Sequence, residues 1–159
     1  MKIWNGYFGK SGSPVLKIKV SGPFTEGREY EAILDTGFTG FLSIPLVQAI
    51  SLGLVLHGTT AVSLADGSTC YRLTARAMVK VEDEEQIGVA ILEPTSIELL
   101  LGMGFLRLFK KAIFVSQFGV GLASEEDISK IVQAQLPKSQ EPALSTTQAE
   151  PSNNGPTQT

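Results

Sequence analysis

Apolar and polar residues alternate along residues 14–20 (PVLKIKV), with Leu16, Ile18 and Val20 on one side and Val15, Lys17 and Lys19 on the other. A period of two is the pattern of a half-buried strand. Residues 30–34 (YEAIL) and 41–44 (FLSI) read as two further strands. Pro45 then opens LVQAISLG, a short helix, because proline suits a first helical turn and Gly53 suits a stop. Residues 59–65 and 69–81 flank Asp66-Gly67-Ser68, and Asp-Gly between two strand patterns predicts a hairpin. In the second arm Tyr71, Leu73, Ala75, Ala77, Val79 and Val81 share one face. The acidic run 82–85 (EDEE) reads as a solvated turn, after which 87–92 returns as a strand.

Residues 99–101 form a short apolar strand that runs into Gly102 and Gly104, and a short helix is expected over 105–109. Residues 112–115 and 118–122 are the last strands. Ser124, followed by Glu125, Glu126 and Asp127, carries a capping hydroxyl and first-turn acids, which together start a helix. Ile128, Ile131, Val132 and Leu136 then fall on one helical face. Many short strands with few helices predict an all-β domain closed as a small barrel, with one or two short helices. The expected organisation is a domain over 1–123, an amphipathic helix over 124–136 and a tail over 137–159. The tail is built mainly from Ser, Thr, Gln, Pro, Asn and Glu, with Ala143, Leu144 and Ala149 its apolar residues. That composition buries too little apolar surface to offset its ordering entropy, so disorder is expected there.

Charge and composition remove several functions. The formal charge is −3, without the basic footprint of a nucleic-acid binder. The longest apolar run, 99–106, is far short of a membrane span, and the first residues lack the apolar core of a signal peptide. A cytoplasmic location is therefore expected, with no membrane and no nucleic-acid partner. Cys70 is the single cysteine, which excludes an intrachain disulfide and a multi-cysteine zinc site. His57 is the single histidine, and it reads as a strand end entering a turn. No metal and no cofactor are expected. Gly9-Lys10-Ser11 lacks the earlier glycine of a phosphate loop, because Trp4 stands there. Gly102-Met103-Gly104 has Arg107 where a dinucleotide fingerprint needs a third glycine. There is no G-x-S-x-G elbow.

Carboxylate chemistry remains. The chain has Asp35, Asp66, Asp83 and Asp127 as its aspartates. Asp66 belongs to the hairpin turn, Asp83 to the acidic turn and Asp127 to the helix start. Asp35 follows the apolar run Ala32-Ile33-Leu34, so it is delivered at the end of a buried strand. A carboxylate there is costly unless donors surround it. The hydroxyl of Thr36 and amides brought close by Gly37 are candidate donors.

Residues 33–45 (ILDTGFTGFLSIP) resemble the active-site segment of the retropepsin-like, clan AA aspartic peptidases. In that family a strand delivers Asp-Thr-Gly, here Asp35, Thr36 and Gly37. A second motif, apolar residues ending in glycine, is matched by Leu99-Leu100-Leu101-Gly102. Between them comes a flap hairpin, matched by Leu64, Ala65, Asp66, Gly67 and Ser68. The resemblance covers about residues 14–122, and it implies a retropepsin-like closed barrel. One departure is Gly104, where family members often carry Asp or Asn.

The resemblance implies peptide hydrolysis by two carboxylates acting on one water. The chain supplies one Asp-Thr-Gly, so the second must come from another copy across a two-fold axis. A homodimer acting on a protein or peptide substrate is therefore expected. Asp35 would be catalytic, Thr36 would bond across the axis, residues 65–68 would close over the substrate, and Leu100, Leu101 and Gly102 would support the site. The alternative is a catalytically silent module of the same fold, used for dimerisation or peptide binding.

Overall fold

The computed structural model describes residues 1–135; the expected helix residue 136 and the tail 137–159 lie outside them. The strands in chain order are β1 (Ile3–Phe8), β2 (Pro14–Ser21), β3 (Arg28–Leu34), β4 (Leu42–Pro45) and β5 (Val55–Ser63), followed by β6 (Thr69–Val81), β7 (Glu84–Glu93), β8 (Leu99–Leu101), β9 (Lys111–Ser116) and β10 (Gly119–Ser124). The helices are α1 (Leu46–Ser51), α2 (Met103–Phe109) and α3 (Glu125–Gln135).

Six strands close a barrel in the order β2-β3-β8-β4-β7-β6. The seam is antiparallel pairing of β6 with β2, where Lys19, Val20 and Ser21 face Lys80, Val79 and Met78. Alternation decides which residues fill the interior. Leu16, Ile18 and Val20 of β2 and Ala75, Ala77, Val79 and Val81 of β6 are buried. Each fully buried aliphatic side chain of Val or Leu size contributes about 1.5–3 kcal/mol. The face expected on β6 is buried from Ala75 onward, while Tyr71 and Leu73 are exposed. The β6–β7 ladder ends at Thr74↔Ile91, so the earlier part of β6 projects beyond the barrel with β5.

A smaller antiparallel sheet, β1-β10-β9, extends the fold, and β1 joins it to β2 through Tyr7↔Val15 and Phe8↔Pro14. The alternation along residues 3–8 is weak, and no strand is expected there. Its anchor is Trp4, fully buried against Phe105 and Phe109 of α2, with ring centroids 6.4 and 5.3 Å away. Lys111 Nζ lies 4.2 Å from the centre of the Trp4 ring and 2.7 Å from Glu84 Oε1. Gly6 interrupts the apolar pattern because a Cβ there would meet the Val15 carbonyl at 2.6 Å.

The barrel domain carries two short helices, α1 and α2, within the one or two expected, and α3 is the separate helix expected after it. Other boundaries differ from expectation for local reasons. α2 starts at Met103 rather than 105, because loop carbonyls take up its first amides. β5 starts at Val55, so His57 is an exposed strand residue beside a bulge between Leu56 and Gly58. The acidic turn narrows to Glu82-Asp83, and Lys2 pairs with both residues. α3 begins as expected, with the Asp127 amide donating to Ser124 Oγ at 3.1 Å. None of its residues is buried.

Candidate active site

The site is built where the chain crosses itself. β8 lies between β3 and β4, parallel to the first (Leu34↔Leu101) and antiparallel to the second (Leu42↔Leu101). The chain leaving β3 must therefore pass over the end of β8 to enter β4, and residues 35–41 make that passage. Asp35 is the first residue of the loop, and its amide donates to the Leu101 carbonyl at 2.9 Å. The carboxylate is thus held by the sheet at its root.

The side chain of Asp35 is half-buried. Its Oδ1 accepts the Gly37 amide at 2.9 Å, and the Phe38 amide closes the turn on the Asp35 carbonyl at 3.1 Å. Thr36 is exposed, and its hydroxyl forms no hydrogen bond among the described residues. Of the two donors anticipated from the sequence, the structure brings Gly37 to Asp35 and leaves Thr36 facing outward.

Beneath the loop sits the second motif. Gly102 is required by close approach: a Cβ there would lie 2.3 Å from the Phe38 carbonyl and 2.4 Å from that of Gly40. The first amides of α2 would otherwise be unpaired. Met103 N–H donates to Phe38 O at 2.8 Å, and Gly104 N–H to Gly40 O at 3.0 Å. Gly104 has its own steric reason, since a Cβ would fall 2.8–2.9 Å from backbone atoms of Gly40 and Phe41. An Asp or Asn at this position would not fit the spacing between α2 and the loop.

Asp35 opens on a pocket of about 390 Å³ lined also by Phe38, Ser43, Val62, Ile91, Glu93 and Leu100, with Gly37 and Ser96 at its sides. Sequence reading misses most of this wall. Glu93 ends β7 opposite Pro45 of β4, and it lines the same pocket as Asp35. Its Oε2 accepts from Arg72 Nε at 2.9 Å, and both side chains are 22% exposed. Glu93 holds the Arg72 guanidinium above its already high ordinary pKa.

The hairpin turn expected at 64–68 is present. Leu64 N–H donates to Ser68 O at 2.8 Å, and Gly67 takes the left-handed conformation at φ +83°. Asp66 Oδ1 accepts both the Ser68 hydroxyl (2.6 Å) and amide (2.8 Å), and these bonds pull the Asp66 carboxyl below its usual range. Ala65, Asp66, Gly67 and Ser68 are all exposed and do not line the pocket; the hairpin reaches it through Val62. Leu100 lines the pocket, while Leu101 and Gly102 lie behind it and hold the loop. Cys70, half-buried opposite Val62, is an ordinary strand residue.

No protein family and no curated protein matches the chain as a sequence. Solved structures do match. A retropepsin-like aspartic protease from Rickettsia conorii aligns with a TM-score of 0.56 at 16% identity, over 77% of this chain and 91% of that one. The EIAV protease, complexed with the inhibitor HBY-793, aligns with a TM-score of 0.52 at 12% identity, over 68% and 98%. The chain has the retropepsin-like fold, a closed barrel with its Asp-Thr-Gly loop seated on β8.

Proposed function

We propose that the chain is one subunit of an aspartic endopeptidase whose catalytic pair is Asp35 from each of two copies. The observation that carries this reading is the position of Asp35: a half-buried carboxylate braced by the Gly37 amide, at the mouth of a pocket. Each chain offers one such group. Two carboxylates a few ångströms apart cannot both ionise cheaply, so they share a proton. The ionised member takes a proton from water as the water oxygen attacks the scissile carbonyl. The protonated member donates to the carbonyl oxygen. Collapse of the tetrahedral intermediate breaks the C–N bond, and a proton passes to the leaving nitrogen.

The exposed Thr36 hydroxyl, without a partner in its own chain among the described residues, suits a bond across the two-fold axis. The projecting β5–β6 hairpin suits a cover whose free backbone groups pair with an extended peptide. The exposed Tyr71 and Leu73 on its arm supply apolar contact.

Asp35→Asn tests the reading. The variant should fold and associate as the wild type does, yet lose cleavage of a peptide library at every pH tried. Cleavage at the wild-type rate would sink the proposal. Peptide binding without turnover by the wild type would point instead to a silent binding module.

A further inference from the structure

We infer that Glu93 is a specificity-determining residue that selects a lysine or arginine side chain in the pocket beside Asp35. This rests on the peptidase reading and adds the class of substrate to it. The pocket joins two environments. Phe38, Val62, Ile91 and Leu100 make an apolar wall, and Asp35 and Glu93 bring two carboxylates to the same space. A long basic side chain matches both, with its methylene stem on apolar surface and its cationic head on a carboxylate.

The state of Glu93 supports this assignment. Oε2 is engaged by Arg72 Nε at 2.9 Å, whereas Oε1 accepts no hydrogen bond among the described residues. Arg72 orients the carboxylate and does not itself line the pocket; its Nη1 is turned to the Tyr71 carbonyl at 3.2 Å. The carboxylate is therefore held on one oxygen by Arg72 and keeps acceptor capacity on the other, at a residue that lines the pocket. A catalytic pair that shares one proton adds negative charge nearby. Acidic substrate side chains should be disfavoured here, since Arg72 offsets only part of this negative charge.

The experiment uses the full chain and peptides in which each position around the scissile bond is varied in turn among Lys, Arg, norleucine, Gln and Glu. Wild type should prefer Lys or Arg at one position and reject Glu there. In Glu93→Gln, the ratio of kcat/KM for Lys over norleucine at that position should fall about tenfold or more, as expected for loss of a charge-assisted hydrogen bond. A charge-swapped pair, Arg72→Glu with Glu93→Arg, keeps the ion pair while inverting the pocket and should shift the preference toward Glu. This second variant guards against misfolding caused by an unpaired Arg72.

The same peptides are offered to Asp35→Asn, with and without Glu93→Gln, and binding is followed by fluorescence anisotropy. Cleavage without a basic preference, or a preference unchanged in both Glu93 variants, overturns the inference and leaves the peptidase reading standing. Absence of cleavage, with Lys-selective binding that Glu93→Gln removes, supports the pocket assignment and sinks the peptidase. Neither cleavage nor binding overturns both.

Discussion

Single residues show where sequence is enough and where it stops. Asp35 is legible because an acid at the end of Ala32-Ile33-Leu34 demands a local explanation, and its donor Gly37 lies two positions away. Glu93 is not legible. It ends a strand before Pro94, where an acid reads as ordinary solvated surface. It shares a pocket with Asp35 only because the β4–β7 and β4–β8 pairings join distant parts of the chain. Gly104 looks like the loss of a polar brace until the packing is known. The 3.0 Å amide bond to Gly40 and the lack of room for a Cβ make glycine the fitting residue. Gly104→Asp should therefore lower stability, by about 1–3 kcal/mol as is usual for overpacking. Chemical denaturation against wild type checks this, and equal or greater stability would mean that α2 can move away freely.

At the scale of elements, period-two alternation and the Asp-Gly turn gave β2, β6 and the hairpin nearly residue for residue. β1 escaped because Asn5 and Gly6 break the alternation, and Gly6 answers to a neighbouring strand that local pattern does not reveal. The hairpin turn also has a defined pH response. Asp66 is pulled below its ordinary value of 3.8, first by the Ser68 hydroxyl and then by the Ser68 amide. A carboxyl with a depressed folded pKa adds stability that is fully present above the unfolded value and is lost as pH falls through the folded value. The turn should hold throughout mildly acidic conditions and loosen only below the usual carboxylate range. Amide exchange at Ser68, followed by NMR down the pH scale, reads this directly. In Asp66→Ala the protection should be weak already at neutral pH.

For the whole molecule, a barrel closed by β2–β6 pairing gives the Asp35 loop a rigid base, while the catalytic assembly proposed for it needs a second chain. The small β barrel was readable because it depends on alternation and turn chemistry, and the order of motifs because it resembles that of the retropepsin-like family. The pocket wall was not, since it gathers residues from four separated stretches of chain. If activity needs two copies, specific activity should fall on dilution, and sedimentation should show dimers dissociating over the same concentration range. Undiminished turnover by a sedimenting monomer would exclude the shared site. Removal of the small sheet's anchor is a separate test. Trp4→Ala should cost about 3–5 kcal/mol, the usual range for a buried aromatic.

Trp4 is also the chain's sole tryptophan, sealed from solvent with Phe105 and Phe109 of α2 against its ring and a lysine ammonium above it. Its fluorescence is therefore a built-in optical probe, coming from one known place. Light emitted there follows the seating of the helix whose first amides hold the Asp35 loop, so a red shift during heating should coincide with collapse of the site.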